Sequence, residues 1–164
     1  METTELVRAE IIERLKSRDL ALAGFSAGFA VLAAGALKDD TSRAMLLPVP
    51  YLALAFASIA ANHDAVVHSL HSYAKRVGDS GWDRSQELAR YHASGWRMVY
   101  FVGQLIAFVG SSSIALWLSA DTSLANPDQK LAVVWYLGLI VTGLTAIELF
   151  WIKYWRHFQG RLKD

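Results

Sequence analysis

Hydrophobic and polar positions fall in blocks along this chain rather than at the spacing of strands or of surface helices. Four runs are apolar, at about 20–37, 47–67, 98–118 and 131–152. The first, LALAGFSAGFAVLAAGAL, holds 18 residues without a charge. That is about the minimum for a hydrocarbon layer of roughly 30 Å at about 1.5 Å per residue. The second organises the chain. In AMLLPVPYLALAFASIAANHDAVVHSLHSYAKRV, residues 44–77, an apolar run turns polar with no helix breaker before Gly78, which predicts a span continuing as helix beyond the bilayer. Pro48 and Pro50 lack amide hydrogens and suit a first helical turn, so regular helix is expected from near Leu47.

The polar blocks predict helices of another kind. Over 4–18, capped by Thr3 or Thr4, Glu10 with Arg14 and Glu13 with Lys16 are favourable pairs one turn apart. Val7, Ile11 and Leu15 make a narrow apolar stripe interrupted by Arg8, which suits a helix lying at the membrane interface, packing on a neighbour or running on into the first span. Asp83 with Gln86 resembles a capping box opening a second polar helix, 84–97, which leads into the third span. KDDTSR and SADTSLANPDQK are the short connections. Asn126, Pro127 and Gln129 mark the start of the last helix, and KYWRHFQGRLKD is a basic tail. The expected fold is all-α, an integral-membrane four-helix bundle with cytoplasmic amphipathic helices, forming one membrane domain over 1–164.

Composition agrees: of 164 residues 54% are hydrophobic and 19% charged, and the mean hydropathy is +0.26, values of a membrane protein rather than a soluble domain. Charge placement then orients it. Lys and Arg number four in 1–19, five in 62–97 and four in 153–164, against two in 38–43 and one in 119–130. Both ends are therefore expected in the cytoplasm. Tyr51, Trp117, Trp135 and Tyr136 form the expected outer aromatic belt, and Trp96, Tyr100, Trp151, Tyr154 and Trp155 the inner one. The first residues lack the pattern of a cleavable signal, so the first apolar run is expected to stay in the protein. With no cysteine, disulfides and thiolate chemistry are excluded. A net charge of +1 gives no sign of nucleic acid as a partner.

Three sets of residues carry candidate chemistry. Glu148 is the one charged residue well inside a run, about a turn from its cytoplasmic end, and Gln104 lies at a similar depth and could bond to it. An uncompensated carboxylate in hydrocarbon is costly, so the pair is a candidate ion or proton site. The bland alternative is an interfacial glutamate that reaches headgroup water or pairs with Arg97 or Lys153. Asp64, His68 and His71 follow one helix face, with His63 and His92 near in sequence, a donor set for a divalent metal or a pH sensor. Packing or interface histidines are the more frequent case, so no cofactor is expected. Gly24, Gly28 and Gly35 on the first span, and Gly103, Ala107 and Gly110 on the third, offer faces for close helix packing, and Ser111 to Ser113 are expected to bond back onto their own helix. No nucleophile, nucleotide-binding or paired-carboxylate signature occurs, so an enzyme is not expected.

The run Glu10-Ile11-Ile12-Glu13-Arg14-Leu15-Lys16-Ser17-Arg18-Asp19 before the first span, and His63-Asp64 closing the second, resemble a group of small uncharacterised bacterial four-span membrane proteins with an E-I-x-x-R-x-x-x-R-D segment. The resemblance covers the first half of the chain and implies a bacterial inner-membrane protein. In size and layout it is similar to the membrane effectors of anti-phage systems. The expectation is a non-enzymatic, homo-oligomeric membrane module that couples a cytoplasmic partner or signal to the bilayer, as a pore-forming effector. The alternative is a small cation- or proton-coupled transporter or channel using Glu148 and the Asp64/His68 region.

Overall fold

The structure is a computed structural model that describes residues 2–38, 40–76, 94–125 and 129–161. Its elements are α1 (Glu2–Ala36), a 3-10 helix (Asp40–Leu46), α2 (Val49–Arg76), α3 (Ser94–Gln104), a π-helical segment (Leu105–Gly110), α4 (Ser111–Leu124) and α5 (Gln129–Arg161). All described secondary structure is helical. The stretches Glu5–Ala36, Arg43–His71, Met98–Leu124 and Gln129–Trp151 are long and apolar enough to cross a membrane. The second polar helix expected over 84–97 lies outside the described residues up to 93, as does the cap at Asn126 and Pro127. Residues 94–97 are helical and continue into the third run.

α1 is one rod of 35 residues, about 52 Å at 1.5 Å per residue, so it exceeds a hydrocarbon layer by about 20 Å. Its polar half packs on a neighbour rather than standing alone: Ile11, fully buried, meets Val67 of α2, with Val7, Leu15 and Leu70 around them. Farther along, Arg18 meets Asp64, and Phe25 meets Phe56. Contacts that run forward on one helix and backward on the other make α1 and α2 antiparallel. The turn between them is longer than a simple loop, because the 3-10 helix fills it and buries Leu46 in the core. Regular helix in α2 starts at Val49, with Pro48 as its cap: the Pro48 carbonyl accepts from the amides of Tyr51 and Leu52 at 3.1 and 3.0 Å.

α2 is the central rod, packed against α1, α5, α4 and the π segment. Ala53, Ala57, Ala60 and Ala61 are all buried, and side chains this small let the surrounding helices come close. Around them Phe25, Phe108, Leu149, Val49 and Ala115 form one apolar core, with the Phe25 and Phe108 rings 4.9 Å apart. At the end of the bundle that carries the connections, the Tyr51 hydroxyl donates to the Val134 carbonyl at 3.0 Å and the Trp135 indole donates to the Leu116 carbonyl at 2.8 Å. Two residues of the expected outer belt thus tie helices together, while Trp117 and Tyr136 are exposed.

Packing divides the glycines. A Cβ on Gly24 would lie 3.3 Å from Phe56, and one on Gly35 would lie 3.1 Å from Met45, so both sit against neighbours. Beside Gly28, Gly103 and Gly110 a Cβ would meet nothing within 4 Å among the described residues. Ala107, on the π segment, is half-buried. Among the described glycines the closest approach is at Gly138, where a Cβ would stand 2.9 Å from Leu116 and 3.4 Å from Pro50.

The third run is an α-helix interrupted by π geometry, a feature its sequence does not announce. A π turn widens the helix and leaves carbonyls short of their usual amides. Here the Phe108 carbonyl accepts the Ser111 amide, and the serines that follow bond back onto their own helix as expected: the Ser112 hydroxyl donates to the Phe108 carbonyl at 2.6 Å and the Ser113 hydroxyl to the Val109 carbonyl at 2.8 Å.

Candidate functional site

Two polar constellations lie inside the bundle. The larger centres on Arg18, which shares the buried face of α1 with Ile11 and Phe25, each seven positions away. Only 3% of the Arg18 side chain is exposed. A guanidinium stays charged in proteins, so burying it requires acceptors on every side. Its Nη1 donates to Asp64 of α2 at 3.0 Å, and Nη2 and Nε donate to Oδ1 of the adjacent Asp19 at 2.9 and 3.1 Å. The Tyr100 ring of α3 lies over the guanidinium carbon at 4.1 Å, and the Tyr100 hydroxyl donates to Asp19 at 3.3 Å. Three helices are therefore joined at one cation, where the polar halves of α1 and α2 give way to their apolar halves. Glu10 and Arg14 of the same segment pair with each other at 2.8 Å.

The second constellation is smaller and lies deeper. The Ser58 hydroxyl of α2 donates to Oε2 of Glu148 at 2.9 Å. Ser58 stands nine positions before Val67, about 13 Å along the helix at 1.5 Å per residue. Along α5 Glu148 stands about one turn before Trp151, where the apolar stretch ends. Among the described residues the carboxylate makes no hydrogen bond to Gln104, and no Lys or Arg pairs with it. Gln104 is buried on α3, next to the π segment. The side chains of Arg97 and Lys153 lie outside the described residues.

No family model, curated protein or solved structure matches this chain.

Among the described residues the histidines do not gather. Asp64 is held by Arg18, His71 is buried, His68 is exposed and His63 keeps Nδ1 out of water without a hydrogen-bond partner. Both His68 and His71 are engaged by other groups. Among the described residues no three His, Asp or Glu side chains are placed to hold one metal ion. His92 lies outside the described residues.

Arg18, Tyr100 and Ser58 are the members that reading the sequence missed. For Arg18 a signal was present: a charged residue on the apolar stripe of a helix demands a partner, and Asp64 is the carboxylate at the equivalent boundary of the next span. Ser58 had none, because nothing local marks which serine of a span will face a distant glutamate.

Proposed function

We propose that the chain is a non-enzymatic module of a bacterial inner membrane, both ends cytoplasmic, which assembles with further copies of itself. In this reading its polar layer receives a cytoplasmic partner or signal and its spans act on the bilayer as a pore between copies. The observation that carries the proposal is continuity. α1 and α2 run unbroken from the polar layer into the apolar one, clamped together by Arg18 where the layers meet. A continuous helix passes a tilt or shift imposed at one end to the other, which is how packed rods slide in a switching transition. Phe25 and Phe108, their rings 4.9 Å apart, pack the apolar core, which favours a passage between several copies about an axis over one within a single chain. Ala23, Ala27, Ala30 and Ala34 are exposed along the outward face of α1, small residues of the kind that admit another helix. Particle imaging in lipid nanodiscs tests this: a ring of copies with a central path is expected, whereas a single chain that releases no ions from liposomes would overturn it.

The competing reading is a cation- or proton-coupled transporter, and Glu148 favours it as a carboxylate in the apolar layer without a cationic partner among the described residues. Its second carboxylate, Asp64, is occupied by Arg18. Solute flux into liposomes that disappears in Glu148→Gln would favour transport over the module.

A further inference from the structure

We infer that the π segment is a register switch: on passing from π to α geometry it turns α3 about its own axis by one residue and takes Tyr100 off Arg18. The basis is the count per turn. A π turn closes between residues i and i+5 and an α turn between i and i+4, so the stretch Leu105–Gly110 holds about one residue more than an α-helix needs to join α3 to α4. With α4 held still, each place on α3 then passes to the next residue in sequence, a rotation of about 100° at about 3.6 residues per turn. Two joints allow it. Gly103 stands just before the segment and Gly110 ends it, and among the described residues a Cβ at either would meet nothing within 4 Å, so the backbone can move there without displacing a neighbour.

The two sides of the segment are held in different ways. On the α4 side Phe108 is fully buried with its ring 4.9 Å from Phe25, its carbonyl accepts the Ser111 amide and the Ser112 hydroxyl, and the Leu116 carbonyl accepts the Trp135 indole. That side is the fixed one. On the α3 side two rings reach other helices: Tyr100 lies over the Arg18 guanidinium at 4.1 Å with its hydroxyl on Asp19, and Phe101 meets Phe150 of α5 with centroids 5.3 Å apart. Both contacts depend on register. In the π register Tyr100 and buried Gln104 face the bundle while Val99 and Gly103 are exposed; in the α register Phe101 and Leu105 take the inner places, and Tyr100 and Gln104 the outer ones. A ring still covers the cation, but the bond to Asp19 is lost. The π register keeps more polar groups inside and is the resting one, and packed helices pass between two such arrangements as discrete states. α3 begins at Ser94, so a cytoplasmic partner reaches the switch through one continuous helix. The switch is a property of a single chain and stands or falls separately from assembly into a pore.

The test uses the full chain in lipid nanodiscs, diluted with unlabelled copies so that distances report within one chain. The sequence has no cysteine, so nitroxides are placed specifically through Ile59→Cys on α2 and Val99→Cys on α3, both exposed. The switch carries Val99 to the place of Met98, also exposed, so the label is buried in neither register. Pulsed electron paramagnetic resonance is expected to show two distances, with the minor population raised roughly fivefold by Tyr100→Leu, which weakens the contact peculiar to the π register. Deletion of Ala107 removes the extra residue, so α geometry joins α3 and α4 in their present registers and only the major distance should remain. A single distance in both the otherwise wild-type chain and Tyr100→Leu would overturn the inference and leave a fixed bulge. Two distances whose ratio ignores Tyr100→Leu, or that both persist after the deletion, would overturn it as well. The first two samples decide the matter whether or not the deletion variant folds.

Discussion

Six positions of α2 separate two polar sites that treat charge in opposite ways. At Asp64 a buried cation is surrounded by two carboxylates and an aromatic face, and three helices converge on it. At Ser58 a carboxylate has one hydroxyl and lies against exposed apolar residues. The first arrangement is closed: each group restrains the others, and moving any helix breaks a charge-assisted bond in low dielectric. The second is sparer: among the described residues Glu148 has one hydroxyl donor and no cation. In an apolar layer, a saturated ion pair serves as a fixed point.

Removing a member from each site should separate these roles most clearly at Arg18. Arg18→Ala leaves Asp64 largely buried without its cation, and a loss of about 3–5 kcal/mol is expected, read from loss of helicity on denaturant titration in micelles. Arg18→Lys should recover part of it, because an ammonium keeps the charge but not the planar fork or the stacking under Tyr100. Stability equal to wild type in Arg18→Ala would dissolve the contrast between the sites.

A steric control comes next in size. Gly138→Ala pushes a methyl group toward Leu116 and Pro50, and about 1–3 kcal/mol should be lost by overpacking. Gly28→Ala meets open space and should gain up to about 1 kcal/mol from helix propensity. Thermal melts of both, if indistinguishable, would show that the close approach at Gly138 does not hold.

Tyr100→Leu removes the ring over the guanidinium and should cost about 1 kcal/mol. Tyr100→Phe keeps the ring and loses only the bond to Asp19, so its cost should be smaller. A double-mutant cycle with Arg18→Lys measures the coupling directly, and strict additivity would argue against a shared site.

The smallest effect is expected at Glu148, and in the other direction. Glu148→Gln preserves the shape and an acceptor for Ser58 while removing the charge, so stability should change by less than about 1 kcal/mol and toward the more stable side. A loss as large as that of Arg18→Ala would mean that Glu148 is a structural ion like Asp64, with an ionic partner of its own.

The legible parts of this molecule are those that depend on neighbours along the chain. Four apolar helices follow from run length and hydropathy. The Glu10–Arg14 pair and the back-bonded Ser112 and Ser113 need only a helix to form. The glycine faces were harder for a physical reason. In a bilayer both the bundle side and the lipid side of a helix are apolar, so periodicity cannot tell which glycines will meet a neighbour. Among the described residues Gly24 and Gly35 do, Gly28, Gly103 and Gly110 do not, and Gly138, outside both expected faces, is the tightest.

The amino-acid order alone determined that there are four apolar helical stretches, where they lie, and near which of them the cations cluster, because transfer from water to hydrocarbon is a property of each segment. Only the tertiary structure decided that Arg18 belongs to Asp64 and Tyr100, that Ser58 meets Glu148, and that π geometry sits beside Gln104. Those outcomes depend on the register and rotation of helices packed against one another, which residues distant in sequence set together.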